Sequence, residues 1–182
     1  CAGTLAGVAG CTGALDARTD DPNPSDGGGP PLADEPLALG HTTAALREQI
    51  MDGGPGKDGI PSIDDPAFES ASEAYLDDDE PVFGVVVDGD VRAYPQSILV
   101  WHEIVNDTVG GVPLTVTYCP LTGTAMGFRR GETTFGVSGR LVNNNLVMYD
   151  RATDSWWQQV AATGIDGPHE GRSLRAVPVR WT

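Results

Sequence analysis

The chain has 182 residues, 40% of them hydrophobic, which is enough for one domain with a sizeable core and cramped for two. A formal charge of -15, from 26 acidic and 11 basic residues, excludes non-specific nucleic-acid binding and a polybasic membrane patch, both of which need clustered Lys and Arg. The acidity is uneven: residues 1–80 hold 17 acids and three bases, residues 81–182 hold nine acids and eight bases, and Lys57 is the single lysine beside ten arginines.

At the amino terminus, small and apolar residues run from Cys1 to Gly10 and reach Cys11, after which Asp and Pro take over. Val8-Ala9-Gly10-Cys11 resembles a lipobox, the signal at which a secretory peptide is cut and the cysteine lipidated. The resemblance implies a signal-peptide remnant over 1–11, a lipid anchor on Cys11, and a place on the extracytoplasmic face of the cell membrane. The other readings are lipidation at Cys1 and a plain Ala/Gly-rich end. Nothing else approaches the roughly 18 apolar residues of a membrane span. Residues 12–40 contain Asp20-Asp21-Pro22-Asn23-Pro24 and Gly27-Gly28-Gly29-Pro30-Pro31, too polar to offset ordering entropy. They read as a disordered acidic stalk. An acidic, lysine-poor chain is also similar to proteins of halophilic archaea; a high-GC genome with an acidic tail is the alternative.

A single globular domain is expected over 41–182, its end incomplete because Val177 to Thr182 stops inside a strand-like apolar run. Thr42 caps a helix predicted to reach Met51 and to end before Gly53-Gly54-Pro55. Lys57 to Pro66 reads as loop, and Ala67 to Leu76 as a short helix. Asp88-Gly89 supplies the positive φ angles of a two-residue turn, so Val82–Val87 and Asp90–Tyr94 form a hairpin. Pro95 opens a helix predicted to run to Val105. Pro113 to Cys119 alternates as a strand. Thr124–Arg129 and Thr133–Ser138 are expected to pair around Gly131, and Leu146–Tyr149 to pair with Ser155–Val160. The fold class is α+β, mainly antiparallel β hairpins with a few short helices.

Three blocks stand out within Tyr94 to Trp157: Trp101-His102-Glu103-Ile104-Val105-Asn106-Asp107, Val116-Thr117-Tyr118-Cys119-Pro120-Leu121-Thr122-Gly123, and Val147-Met148-Tyr149-Asp150-Arg151. They resemble the domain-of-unknown-function family 3179, which implies the domain and no settled activity. Many relatives carry a second cysteine where this chain has Thr122, so the resemblance weakens any dithiol redox reading here.

Cys119 is a candidate nucleophile or soft metal ligand, and equally a buried inert thiol. His102 is its candidate base or co-ligand, or a hydrogen-bonded core residue. Met148 would complete a His, Cys and Met set suited to copper, though a strand methionine is ordinarily core. Arg129 and Arg151, with Arg130 and Arg140, can clamp an anionic ligand or pair with Glu132, Asp150 and Asp154. Trp156 and Trp157 alternate along a strand, one for the core and one for a pocket or interface. Asn106-Asp107-Thr108 fits a glycosylation acceptor, and Asp64-Asp65 and Asp77-Asp78-Asp79-Glu80 offer calcium or plain solvation. No phosphate loop, dinucleotide fingerprint, paired Cys-x-x-Cys frame or Gly-x-Ser-x-Gly elbow is present.

Three functions remain open on these residues. The first is a binding domain whose pocket for a small ligand or a metal gathers His102, Arg129, Arg151, Thr122 and Trp156 around Cys119. The second is a thiol-dependent enzyme using Cys119 and His102, and the third a cell-surface interaction module without catalysis.

Overall fold

The computed structural model describes residues 28–74 and 76–181; the lipobox and the first half of the expected stalk lie outside them. Its elements run in order α1 (Thr43–Arg47), β1 (Ile50–Asp52), β2 (Val82–Val87), β3 (Asp90–Pro95), α2 (Gln96–His102), β4 (Ile104–Val109), β5 (Val112–Cys119) and β6 (Thr124–Arg129). There follow β7 (Phe135–Val142), β8 (Asn145–Asp150), β9 (Trp156–Gln158), β10 (Thr163–Asp166), β11 (Ala176–Val177) and β12 (Arg180–Trp181). Every strand pairing is antiparallel, in sheets ordered β1-β7-β8-β9-β10, β11-β6-β5-β4 and β12-β2-β3.

Alternation along β5 explains how these sheets stack. Leu114, Val116 and Tyr118 point one way, into a core shared with Phe83, Val85, Tyr94 and Leu99. Cys119 points the other way, into a core with Phe135, Val137, Leu146, Met148 and Trp157. The four-stranded sheet is therefore the middle layer. The three-stranded sheet and α2 cover one of its faces, and the five-stranded sheet covers the other. A third cluster, Leu46, Val142, Val147 and Ile165, lies on the outer face of the five-stranded sheet beneath α1. Full burial of a side chain such as Phe83 or Trp157 contributes about 1.5–3 kcal/mol, so these cores carry most of the stability.

The fold is predominantly β, and the α+β expectation is corrected accordingly. The two helices span only five and seven residues. The helix expected to reach Met51 stops at Arg47, because Ile50–Asp52 pairs with Arg140–Val142 as an edge strand. Glu103 takes a left-handed φ of 58° and ends α2. Ile104 can then start β4, where Ile104 faces one core and Val105 the other. The apolar spacing that suggested a longer helix was a strand buried on both faces. No helix forms between Ala67 and Ala74.

The hairpin at Asp88-Gly89 forms, with φ of 48° and 84°. The β8–β9 pair forms too. The expected pairing around Gly131 does not: β6 joins the middle sheet, and β7 crosses to the outer one. Arg130 fixes that crossing by donating through Nη1 to the Gly131 and Thr133 carbonyls at 3.1 and 3.0 Å. The turn that β7 does make, Asn143-Asn144 with φ of 52° and 60°, leads into β8.

Residues 28–39, assigned by composition to the stalk, run along the domain. Leu32 bridges Leu174, the Ala33 N–H donates to the Ser173 carbonyl at 2.8 Å, and the Leu37 N–H donates to Ser173 Oγ at 2.8 Å. Among the described residues no helix is long and apolar enough to cross a membrane.

Candidate functional site

Cys119 ends β5 with 1% of its surface exposed, and its thiol donates to the Asn144 carbonyl at 3.6 Å. Beside it runs a buried amide relay. Asn145 Nδ2 donates to Thr122 Oγ1 at 3.1 Å and to Gln159 Oε1 at 2.8 Å, and Gln159 Nε2 donates to Thr117 Oγ1 at 3.0 Å. This network closes the Cys119–Thr124 loop over the thiol and leaves none of its amide groups looking for a ligand. Thr122, the position where relatives place a second cysteine, serves here as an acceptor for Asn145.

Of the other residues expected around the thiol, His102 and Arg151 are bonded elsewhere. His102, the last residue of α2, places Nδ1 at 2.8 Å from the Pro61 carbonyl. Arg129 lies on β6 opposite Leu114. Met148 is fully buried and shares the core with Cys119, whereas His102 does not belong to that core. Among the described residues no three His, Cys, Asp or Glu side chains gather as a metal site.

Arg151 serves as a structural staple. Its guanidinium reaches Asp64 Oδ2 at 3.2 Å, Thr134 Oγ1 at 2.9 Å, Ser62 Oγ at 3.0 Å, Asp58 Oδ1 at 3.3 Å and the Phe135 carbonyl at 3.3 Å. Burial opposes its charge, yet Asp64, Tyr149 and Asp58 hold its pKa above the ordinary value. Asn106 joins the same network. It is 1% exposed, donates to Asp64 Oδ1 at 2.7 Å and to the Phe135 carbonyl at 2.9 Å, and accepts the Phe135 N–H. An amide so enclosed is no glycosylation acceptor in the folded chain, and Asp64 is a structural acceptor. The fully buried Asp150 accepts from Trp157 Nε1 at 3.0 Å and from the Thr153 N–H at 2.7 Å, fixing the β8–β9 turn.

Trp156 lies elsewhere. Trp157 is in the core, whereas Trp156 is partly exposed on the outer face of the five-stranded sheet. There it lines a recess of about 180 Å³ together with Asp52, Gly54, Pro55, Gly56, Lys57, Ser138 and Arg140. A bulge in β7 builds this recess. The register shifts between Val137 and Arg140, and the freed peptides receive the loop after β1. The Gly53 N–H donates to the Gly139 carbonyl and the Asp58 N–H to the Val137 carbonyl, each at 2.9 Å. Gly139 has φ +75°, and a Cβ there would stand 2.0 Å from the Pro55 carbonyl oxygen. Only glycine fits.

The loop delivers its two charged residues to the sheet. Lys57 Nζ sits 4.0 Å from the centroid of the Tyr149 ring and 2.5 Å from Asp154 Oδ1. Asp58 accepts from the Tyr149 hydroxyl, and burial together with that bond pushes the Tyr149 pKa up to about 12. Arg140 Nη1 lies 3.1 Å from Asp52 Oδ2, whose other oxygen accepts the Gly54 N–H at 2.9 Å. Reading the sequence as a loop missed this site. The available signal was the sole lysine of the chain, set in Gly53-Gly54-Pro55-Gly56-Lys57-Asp58-Gly59.

The comparisons place the chain in a family. The family described as "Protein of unknown function (DUF3179)" matches residues 57–182, well over half the chain, and the chain belongs to it. No curated protein and no solved structure matches.

Burial pushes the Glu103 carboxyl up from 4.5 to about 7. The folded chain thus keeps a proton there that the unfolded chain releases near pH 4.5. Between those two values the folded state binds more protons, so stability falls as pH rises from about 4.5 to 7. Glu103→Gln is expected to match the parent at pH 4.5 and to exceed it in urea midpoint at pH 8. Parallel midpoint curves for the two proteins across this range would contradict the assignment.

Proposed function

We propose that this chain is a non-catalytic binding domain that holds a small anionic molecule in the recess between the 52–57 loop and Trp156. The observation that carries the reading is the pairing of two cations, Lys57 and Arg140, with an indole in one concave site. Both cations are partnered only weakly. The Arg140–Asp52 and Lys57–Asp154 pairs are 42%/69% and 49%/64% exposed, and exposed pairs contribute about 0–1 kcal/mol each. A ligand carboxylate or sulfate can replace Asp52 or Asp154 at little cost. Arg151 offers no such exchange, because its guanidinium is shared among five acceptors, the part-buried Phe135 carbonyl among them.

The sealed thiol argues against the enzyme reading and against a pocket centred on Cys119. Nucleophilic attack needs an accessible thiolate with a base in reach. Here the thiol is buried and His102 is bonded to Pro61. A binding domain is also compatible with the proposed setting, a lipid anchor at Cys11 that holds the protein on the extracytoplasmic face of the membrane. Support for that setting is the apolar run to Cys11 and the acidic, proline-rich residues after it.

Titrating the 182-residue chain with glucuronate, lactate, benzoate and sulfate, followed by intrinsic tryptophan fluorescence, tests the binding reading. At least one anion is expected to saturate, to weaken with added salt, and to lose about tenfold or more in affinity in Arg140→Gln, the size of one charge-assisted hydrogen bond. Binding that survives in Arg140→Gln, or no saturation by any anion, would overturn it. For the anchor, Cys11→Ser is expected to move the expressed protein from the membrane fraction to the soluble one. Unchanged membrane association would defeat that proposal.

A further inference from the structure

We infer that the recess takes an acidic sugar unit, a six-membered ring bearing a carboxylate; this rests on the anion-binding reading above and names its ligand class. Three features of the lining lead there.

The first is size. At about 180 Å³ the recess is below the roughly 300–1,000 Å³ of pockets that enclose drug-sized molecules. It has room for one ring with its substituents.

The second is the mix of surfaces. Apolar lining comes from Trp156 and Pro55, polar lining from Asp52, Lys57 and Arg140, and backbone from Gly54 and Gly56. A flat aromatic acid or a fatty acid would press most of its carbon against charged groups and peptides, at a desolvation cost with no compensating contact. A sugar ring divides its surface differently. Its C–H face can lie on an indole while its hydroxyl rim meets donors and acceptors all round. Asp52 supplies acceptors and Lys57 a donor for that rim.

The third is charge placement. Arg140 and Lys57 come from separate elements, β7 and the loop, and both line the same recess. A guanidinium grips a carboxylate in two-pronged fashion, and an ammonium adds a mobile point charge. Ser138 is not available to a ligand. Its hydroxyl donates to the Val147 carbonyl at 2.5 Å and accepts the Arg140 N–H at 3.1 Å, so it holds the bulge and aims Arg140.

The test compares glucuronate, glucose and acetate as probes on the intact 182-residue chain by isothermal titration, at constant ionic strength. Glucuronate is expected to bind at least tenfold more tightly than either glucose or acetate. Arg140→Gln should bring glucuronate down to the level of glucose. Trp156→Phe, which keeps a ring against the same packing, should weaken glucuronate several-fold and leave acetate unchanged. If acetate binds as tightly as glucuronate, or another anion binds and glucuronate does not, the sugar inference fails while the anion reading stands. If glucose equals glucuronate and Arg140→Gln changes neither, both fail.

Discussion

The close approach of two backbones at Gly139 is the constraint on which the rest of the recess depends. The bulge in β7 turns peptide groups toward the loop after β1, and the absence of a side chain at Gly139 lets the Pro55 carbonyl sit where a Cβ would be. Two backbone hydrogen bonds then fix the loop at both ends, from Gly53 and from Asp58. Everything that gives this face its chemistry follows from that docking. Lys57 is brought over Tyr149, Asp58 is brought to the Tyr149 hydroxyl and to Arg151, and Asp52 is held beside Arg140. A loop carrying a lysine is ordinary; this one is pinned on a sheet face beside an arginine and an indole, which is why the recess is the proposed site.

The surroundings of Cys119 and the recess differ in how their polar groups are engaged. Around Cys119, the amides of Asn145 and Gln159 are bonded to one another, to Thr117 and to Thr122, and the thiol itself is turned to Asn144. A buried network so fully satisfied rigidifies a core, and opening it leaves donors unpaired at about 1–3 kcal/mol each. At the recess the charged pairs are exposed and exchangeable. Two arginines that look alike in sequence differ in the number of their partners: Arg151 reaches five acceptors, on Asp58, Ser62, Asp64, Thr134 and Phe135, whereas Arg140 has one exposed carboxylate.

Much of the strand framework was legible from the residues. Asp88-Gly89 announced its hairpin through turn chemistry, and the alternation in β5 announced a strand. What failed did so where local pattern and tertiary burial diverge. Ile104 and Val105 read as a helix face because a strand buried on both sides has no polar alternation to betray it. β6 and β7 read as a hairpin because they are adjacent in sequence, and only the buried face of the middle sheet decides that they part. Of the candidate site residues, alternation implied that one of Trp156 and Trp157 leaves the core without saying which, and Trp156 lies on the outer sheet face and not beside Cys119. Arg140 was visible only as one arginine among several, and Lys57 only as a loop residue. Their meeting depends on a register shift at Ser138–Gly139, which no periodicity in the sequence encodes.

Native-state amide hydrogen exchange on Gly139→Ala, compared with the parent chain, shows whether the bare backbone at Gly139 is what lets the loop dock. The account predicts that the Gly53 and Asp58 amides exchange roughly tenfold faster or more, equivalent to about 1.4 kcal/mol, while the Tyr118 amide in the middle sheet keeps its protection. Unchanged protection at Gly53 and Asp58 would show that the loop docks without the glycine, and would contradict the account.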